Sequence, residues 1–263
     1  MSTDRWMGLA ELAAGVPDGA SVAPGGFMLG RAPMALVREL ARQGRRRLHV
    51  VSLPNPLPAE VLVAAGAVSR LDFAFGALTL GGRARPLPCL RRAIEENRID
   101  WREHDGYRLV QRLRAAGMGV PFLPVPDADR SDLAAMEPLS WVEDPFSGER
   151  VPVERAFSPD VALVHAQAAD AAGNLFIEDP TTDLLVVAAA RRVLATAERR
   201  VPVLPRVTIP AFQVTALTHA PGGALPTGCL GFYPHDAAAL DRWCTLAEAG
   251  RIHELLGPEV RAA

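Results

Sequence analysis

Apolar and polar positions along this chain alternate between two periods. A short apolar run at 20–24 leads into Gly25-Gly26-Phe27-Met28-Leu29-Gly30, after which Met34, Leu36, Val37 and Leu40 recur at helical spacing as far as Gly44. The order predicted is strand, glycine turn, helix, with Pro33 tolerated in the first helical turn. Ahead of it, residues 5–16 read as an opening amphipathic helix and Asp18-Gly19 as a turn. Leu48-His49-Val50-Val51 has the largely apolar character of a buried parallel strand and delivers Ser52-Leu53-Pro54-Asn55-Pro56 as a loop at its carboxyl end. The alternation goes on to predict a helix near 58–66, a strand at 71–75, a helix at 87–97, an extended piece at 99–103 and a longer helix at 105–118.

Residues 161–166 form the next buried strand, followed by a turn at Gly173-Asn174 and by Leu175-Phe176-Ile177. Beyond it, 183–195 read as an apolar helix, 203–209 and 212–219 as short strands, 220–233 as a second glycine-rich loop and 236–255 as a closing helix. Strands interleaved with helices imply an α/β fold, an open and mostly parallel sheet with helices on both faces. Residues at about 120–160 break the pattern. They are Pro-rich and polar, and Asp127, Asp129, Asp132 and Asp144 are irregularly spaced, which suits solvated turns of a long excursion or small hairpin better than a metal site. With no internal repeat and no clean linker, residues 1–263 are expected to form a single α/β domain carrying that excursion.

Composition acts mainly by exclusion. The 28 basic and 30 acidic residues are mixed in sign apart from Arg45-Arg46-Arg47, so neither nucleic acid nor a membrane surface is an expected partner. No apolar run approaches the roughly 18 residues of a membrane span, and Met1-Ser2-Thr3-Asp4-Arg5-Trp6 has no apolar signal core; a cytoplasmic location is expected. Cys89, Cys229 and Cys244 lack metal-ligand spacing and leave one over, which predicts reduced thiols with no disulfide and no bound metal. The chain contains no lysine at all, which removes lysine Schiff bases and lysine general bases from its chemistry.

In an open parallel sheet, ligands bind outside the carboxyl ends of the strands, where strand order reverses. The loops 24–31, 52–56, 76–82, 101–107 and 165–167 qualify. Backbone N–H groups at Gly25, Gly26 and Phe27 could meet a phosphate or the developing oxyanion of a thioester enolate, helped by the N-terminus of the following helix. The same glycines also suit a tight turn with no ligand. In Trp101-Arg102-Glu103-His104-Asp105-Gly106-Tyr107, a carboxylate, an imidazole and a phenol share one short segment. Glu103, His104 and Tyr107 are therefore acid–base candidates and Arg102 could orient a substrate carboxylate. A helix start capped by Asp105 accounts for the same letters. Ser52 and Asn55 could bond a substrate or cap their prolyl loop. Ser52 has neither a base nor a G-x-S-x-G context, which argues against a hydrolase nucleophile. His49 and His165 read as core histidines, and Cys89 as a buried thiol.

The segments DGASVAPGGFMLGRAP (18–33), RLRAAGMGVPFLP (112–124) and FSPDVALVHAQAADAAGN (157–174) together resemble the A subunits of family I CoA-transferases of the glutaconate type, in order over essentially the whole chain. GGFMLGRAPMALV, SLPNPLPAE, WREHDGYR, EDPTTDLL and APGGALPTGC are similar to a decarboxylating branch of that family. The resemblance implies the family's open α/β fold, a homologous B subunit in a heterodimer or A2B2 heterotetramer, and an active site between the two chains. It also implies no covalently bound cofactor, with coenzyme A present as part of the substrate thioester. The activity implied first is decarboxylation of 3-methylglutaconyl-CoA to 3-methylcrotonyl-CoA, on a route to isovaleryl-CoA. The alternatives are a true CoA-transferase, a ring-opening CoA-ester hydrolase and a non-catalytic scaffold. The nucleophilic glutamate of true transferases belongs to the B subunit, and its motif is absent here, as expected of the A chain. On the match to the hydrolase branch Glu103 carries the functional glutamate. Gly25, Gly26 and Phe27 would then face the thioester oxygen, with Met28, Ser52, Asn55, Phe75 and Arg102 around the acyl group.

Overall fold

A computed structural model describes residues 5–128, 132–133, 137–252 and 254. Its centre is a sheet in which parallel strands run in the order β13-β12-β10-β1-β2-β3-β6, with a short antiparallel strand, β11, beside β10. These strands are β1 (Ser21–Pro24), β2 (Leu48–Ser52), β3 (Val68–Phe73), β6 (Asp100–Glu103), β10 (Val161–Asp170), β11 (Leu175–Phe176), β12 (Arg192–Val201) and β13 (Ala216–His219). All ten residues of β10 are buried, as a strand covered on both faces requires.

One face is covered by α1 (Leu9–Ala14), α2 (Met34–Arg42), α3 (Pro56–Ala64), α4 (Pro88–Glu95) and α7 (Ala237–Glu248), which share a core with Val22, Val50, Leu71 and Leu163. The other face carries α5 (Gly106–Met118) and α6 (Asp183–Ala189), which pack with Ala23, Val51, Ala162 and Val164. Neighbouring residues of one strand thus feed opposite cores, the alternation a pleated strand imposes. The predicted fold class is the one observed. Among the described residues, no helix is long and apolar enough to cross a membrane.

Several boundaries differ from the sequence expectation. The reading of 183–195 as one helix is corrected: α6 ends at Ala189, and 192–201 is the strand β12 between β10 and β13. Its Leu, Ala, Arg and Glu favour helix in isolation, but burial between two parallel neighbours decides otherwise. No strand forms at 203–209; in its place 202–215 is irregular up to the 3-10 turn Ala211–Gln213. Residues 76–82, read as a loop, belong to a hairpin of β4 (Ala77–Leu80) and β5 (Arg83–Pro86), closed by Gly81 and Gly82, both at positive φ. Residues 5–7 are extended against β13 and only 9–14 are helical.

The Pro-rich segment contains β7 (Phe122–Pro124), β8 (Ser140–Glu143) and β9 (Arg150–Arg155) in a small antiparallel sheet of order β7-β9-β8. Asp129 and residues 253 and 255 of the expected closing helix lie outside the described residues.

Candidate active site

From β1 the chain proceeds outward through β2, β3 and β6, then returns to β10 on the other side of β1. The strand order therefore reverses between β1 and β10, and the glycine turn leaves β1 at that switch point. The turn wraps a buried ion pair. Arg31 is 1% exposed and Asp183, the first residue of α6, is 0% exposed. Arg31 Nη2 reaches Asp183 Oδ2 at 2.7 Å and Nη1 reaches Oδ1 at 3.0 Å. Nε donates to Asp179 Oδ1 at 3.0 Å, and the carbonyls of His165 and Asp179 accept at 2.9 and 2.8 Å. Burial alone would depress the arginine's pKa, but Asp183 and Asp179 outweigh it and raise it.

This packing explains the glycines. Gly26 has φ +85°, and a Cβ there would lie 2.7 Å from the carbonyl oxygens of both Gly30 and Arg31. A Cβ on Gly25 would sit 2.5 Å from Asp183 Oδ1. The three amides expected to face a thioester oxygen have internal acceptors: Gly25 N–H donates to Leu163 O at 2.8 Å, Gly26 N–H to Asp183 Oδ1 at 3.1 Å, and Phe27 N–H to Gly30 O at 2.9 Å. The oxyanion role read for Gly25, Gly26 and Phe27 is therefore corrected, because each donor is already engaged by the turn itself. What reaches solvent is the Phe27 side chain, 44% exposed, with Met28 half-buried beside it.

Three strands away, at about 14 Å for a strand spacing of about 4.8 Å, the edge strand β6 ends in Glu103 and His104. His104 is buried and both its nitrogens face carboxylates: Nε2 lies 2.6 Å from Asp72 Oδ1 and Nδ1 lies 3.0 Å from Glu137 Oε2. Asp72 also bonds His49 Nε2 and accepts from Arg70 Nε at 3.1 Å. Burial opposes the charge of each member of this cluster, but the contacts prevail. His104 is raised by Asp72 and Glu137, and Asp72 is held far below the carboxylate range by His104, His49 and Arg70. Glu137 is lowered to about 2, chiefly by His104. Buried between Asp72 and Glu137, which both favour its charged form, His104 does not reach the surface, and the catalytic role expected of it is corrected to a positioning one.

Its neighbours are open. Glu103 is exposed, and among the described residues its carboxylate has no hydrogen-bond or ion-pair partner. Tyr107 is 46% exposed, and its hydroxyl accepts from Gln111 Nε2 at 3.1 Å, which leaves its own O–H free to donate. Asp105 caps α5 by accepting the Tyr107 N–H at 2.7 Å, as the helix-start reading expects. Arg102 is exposed and 3.5 Å from Glu137.

The remaining expected pocket residues divide. Ser52 is buried and donates to Leu53 O and Asn55 O; Asn55 is buried with its Nδ2 donating to Gly25 O, while its Oδ1 has no hydrogen-bond partner among the described residues. Phe75 is half-buried in the bend after β3, between the two open regions.

Sequence reasoning missed Arg31, Asp183, Asp72 and Glu137, whose partners are distant in the chain. It also missed a buried network in which His165 bonds Thr196 Oγ1 at 2.7 Å and Glu198 Oε1 at 2.8 Å, while Glu198 accepts from Tyr233 and from Gly222 N–H. Cys229 Sγ lies within 4.8 Å of the His165 and Glu198 donor atoms. His165 and Glu198 are already paired, and burial pushes the Cys229 thiol up to about 12, so the group is internally satisfied. Cys89 is likewise pushed up to about 12 by burial.

The chain is thus a doubly wound α/β fold with a pinned glycine turn at its switch point and an exposed carboxylate and phenol at the end of its edge strand. Residues 7–208 match the coenzyme A transferase family model, and the chain belongs to that family. It is 31% identical over 241 residues to the A chain of the 3-oxoadipate CoA-transferase of Pseudomonas knackmussii, covering 88% of this chain and 84% of that one. A crystal structure of a variant of the decarboxylase AibA/AibB superposes with TM-score 0.95 at 65% identity, over 97% of this chain and 98% of the other. Glutaconate CoA-transferase of Acidaminococcus fermentans shares the fold, at TM-score 0.86 and 24% identity over 95% of this chain and 86% of that one.

Proposed function

We propose that the chain is the A subunit of a heteromeric enzyme that decarboxylates a glutaconyl-type CoA thioester, 3-methylglutaconyl-CoA to 3-methylcrotonyl-CoA. The observation that carries the proposal is the 65% identity, over nearly the full length of both chains, to the decarboxylase AibA/AibB. The A2B2 assembly, the cytoplasmic location, the single-domain organisation and the absence of a covalent cofactor are parts of the same proposal.

The chemistry fits the open groups of this chain. The departing carboxylate of a glutaconyl thioester is vinylogous to the carbonyl, so loss of CO2 leaves a dienolate whose charge rests on the thioester oxygen. No base is needed for that step. Arg102 offers a cation to the substrate carboxylate on binding. Phe27, Met28 and Phe75 offer an apolar wall, in which a localised carboxylate is disfavoured relative to the spread product anion. Proton return to carbon needs an acid, and Tyr107, with a free O–H, supplies it; the phenolate is reprotonated by a proton taken up from solvent, for which the exposed Glu103 carboxylate, four residues before it in the chain, can act as relay. Since the Gly25, Gly26 and Phe27 amides are engaged, donors to the thioester oxygen come from the B subunit.

The test is co-expression with the B subunit, followed by mass spectrometry of 3-methylglutaconyl-CoA with and without acetate. Acetate-independent formation of 3-methylcrotonyl-CoA and CO2 is expected. Acetyl-CoA and free acid formed only with acetate would identify a transferase and overturn the proposal. In the active complex Tyr107→Phe is expected to lower kcat about 10²- to 10⁴-fold; full activity in both Tyr107→Phe and Glu103→Gln would reduce this chain to a scaffold.

A further inference from the structure

On the helical layer, α2, α3 and α7 leave a cavity of about 370 Å³ walled by Met34, Leu57, Val61, Leu225, Pro226 and Trp243. That volume is within the range of small-ligand sites. Its polarity is one-sided. Arg38 lines it and holds one internal bond, from Nη1 to Leu225 O at 2.6 Å; no carboxylate of the described residues lies within 4.0 Å of its guanidinium. The apolar surroundings push its pKa down, offset only by Tyr233. The cavity's acid, Asp236, caps α7 by accepting the Ala239 N–H at 2.9 Å. Arg38 is an exposed residue, so its guanidinium stands on the solvent side of the cavity, and an apolar pocket with a cation at its mouth is complementary to an apolar body bearing one negative charge.

We propose that this cavity is a binding site for a free aliphatic carboxylate, its chain among Leu57, Val61 and Trp243 and its carboxylate on Arg38. The site lies apart from Glu103 and Tyr107, and the inference stands whether or not the proposed reaction is correct. It also has a route to the glycine turn. Leu225 and Pro226 belong to a loop whose Gly223 O accepts from Ala35 N–H at 2.8 Å, whose Thr227 Oγ1 accepts from Ala32 N–H at 3.1 Å, and whose Gly228 O accepts from Arg31 N–H at 2.6 Å. An occupant pressing on Leu225 therefore bears on the segment that shapes the turn, as an effector would.

The experiment is isothermal titration of the full chain with hexanoate and with hexanamide, which share a hydrocarbon tail and differ in charge. Saturable binding of hexanoate, and binding of hexanamide weaker by about tenfold or more, are expected from a lost charge-assisted contact. Arg38→Gln should remove that preference, and Val61→Phe, which fills the cavity, should abolish binding of both. Equal binding of the two ligands, no binding of hexanoate, or binding undiminished in Val61→Phe would each overturn the proposal. The two-ligand comparison on the unaltered chain decides the matter even if a variant fails to fold.

Discussion

Replacing Arg31 by methionine keeps most of the side-chain volume and deletes the cation paired with Asp183. It removes five hydrogen bonds at 2.7–3.0 Å and leaves a carboxylate of 0% exposure with the Gly26 N–H as its remaining donor among the described residues. Breaking a buried pair from one side costs about 3–5 kcal/mol, because a buried charge is left uncompensated. For a chain of this size about 1 kcal/mol moves the melting midpoint by about 2–4 °C, so a fall of roughly 6–20 °C is expected. Asp183→Leu alone should cost a similar amount, since it strands the guanidinium. The double variant Arg31→Met/Asp183→Leu removes both charges and should recover more than half of the summed loss. Urea unfolding of the four proteins, followed by circular dichroism, supplies the cycle. If Arg31→Met costs under about 1 kcal/mol, or the two losses simply add, the ion pair does not hold the turn together.

Three other outcomes follow from the same geometry. Gly26→Ala should cost about 2–4 kcal/mol and Gly44→Ala about 1 kcal/mol: both carry positive φ, but of the two only residue 26 has a Cβ that strikes backbone, and equal unfolding midpoints would contradict this. Glu137, lowered to about 2 from an ordinary 4.5, contributes stability that is complete above pH 4.5 and fades as pH falls toward 2; discounted for partial solvation this is about 1–2 kcal/mol. His104, raised, contributes fully below pH 6.5 and loses its share as pH rises through its higher value, so a plateau between these limits is expected in melting temperature against pH. In Glu137→Gln the acid-side fall should flatten, and an unchanged profile would show that the cluster does not titrate as described. Ser52→Ala in the active complex should leave KM unchanged, because its hydroxyl serves Leu53 and Asn55 carbonyls; a raised KM would return Ser52 to the substrate.

What could be read from the letters was whatever depends on neighbours. The strand at 20–24, the glycine turn and the helix of Leu36, Val37 and Leu40 are set by local periodicity, and they formed as expected. The apolar run of β10 was legible for the same reason, though its final four residues, with Gln167 and Asp170, were not. β12 was missed because Arg192, Leu194, Ala195 and Glu198 are good helix formers, and only pairing with β10 and β13 makes them a strand. At the site, residue types were legible and their directions were not. Glycine density predicted close backbone approach correctly, and the group that the Gly26 amide meets is Asp183, 157 positions away. His104 and Glu103 are adjacent letters with opposite fates: β6 stops at the exposed Glu103, and His104, just past its end, turns in against Asp72 with its N–H on Phe73 O.

The glycine turn is written early in the gene and completed late. Arg31 finds its partners at Asp179 and Asp183, Ala32 finds its acceptor at Thr227, and β1 gains its second neighbour only with β10. At a synthesis rate of about 5–20 residues per second, separations of 152 and 195 residues mean that a nascent chain carries these residues for about 8 to 40 seconds before their partners are made. Until then Arg31 is solvated and the turn has no fixed form. Only a chain extended past Thr227 and Gly228 has every partner of the turn, so any partner that recognises the surface around Phe27 selects such chains over shorter ones.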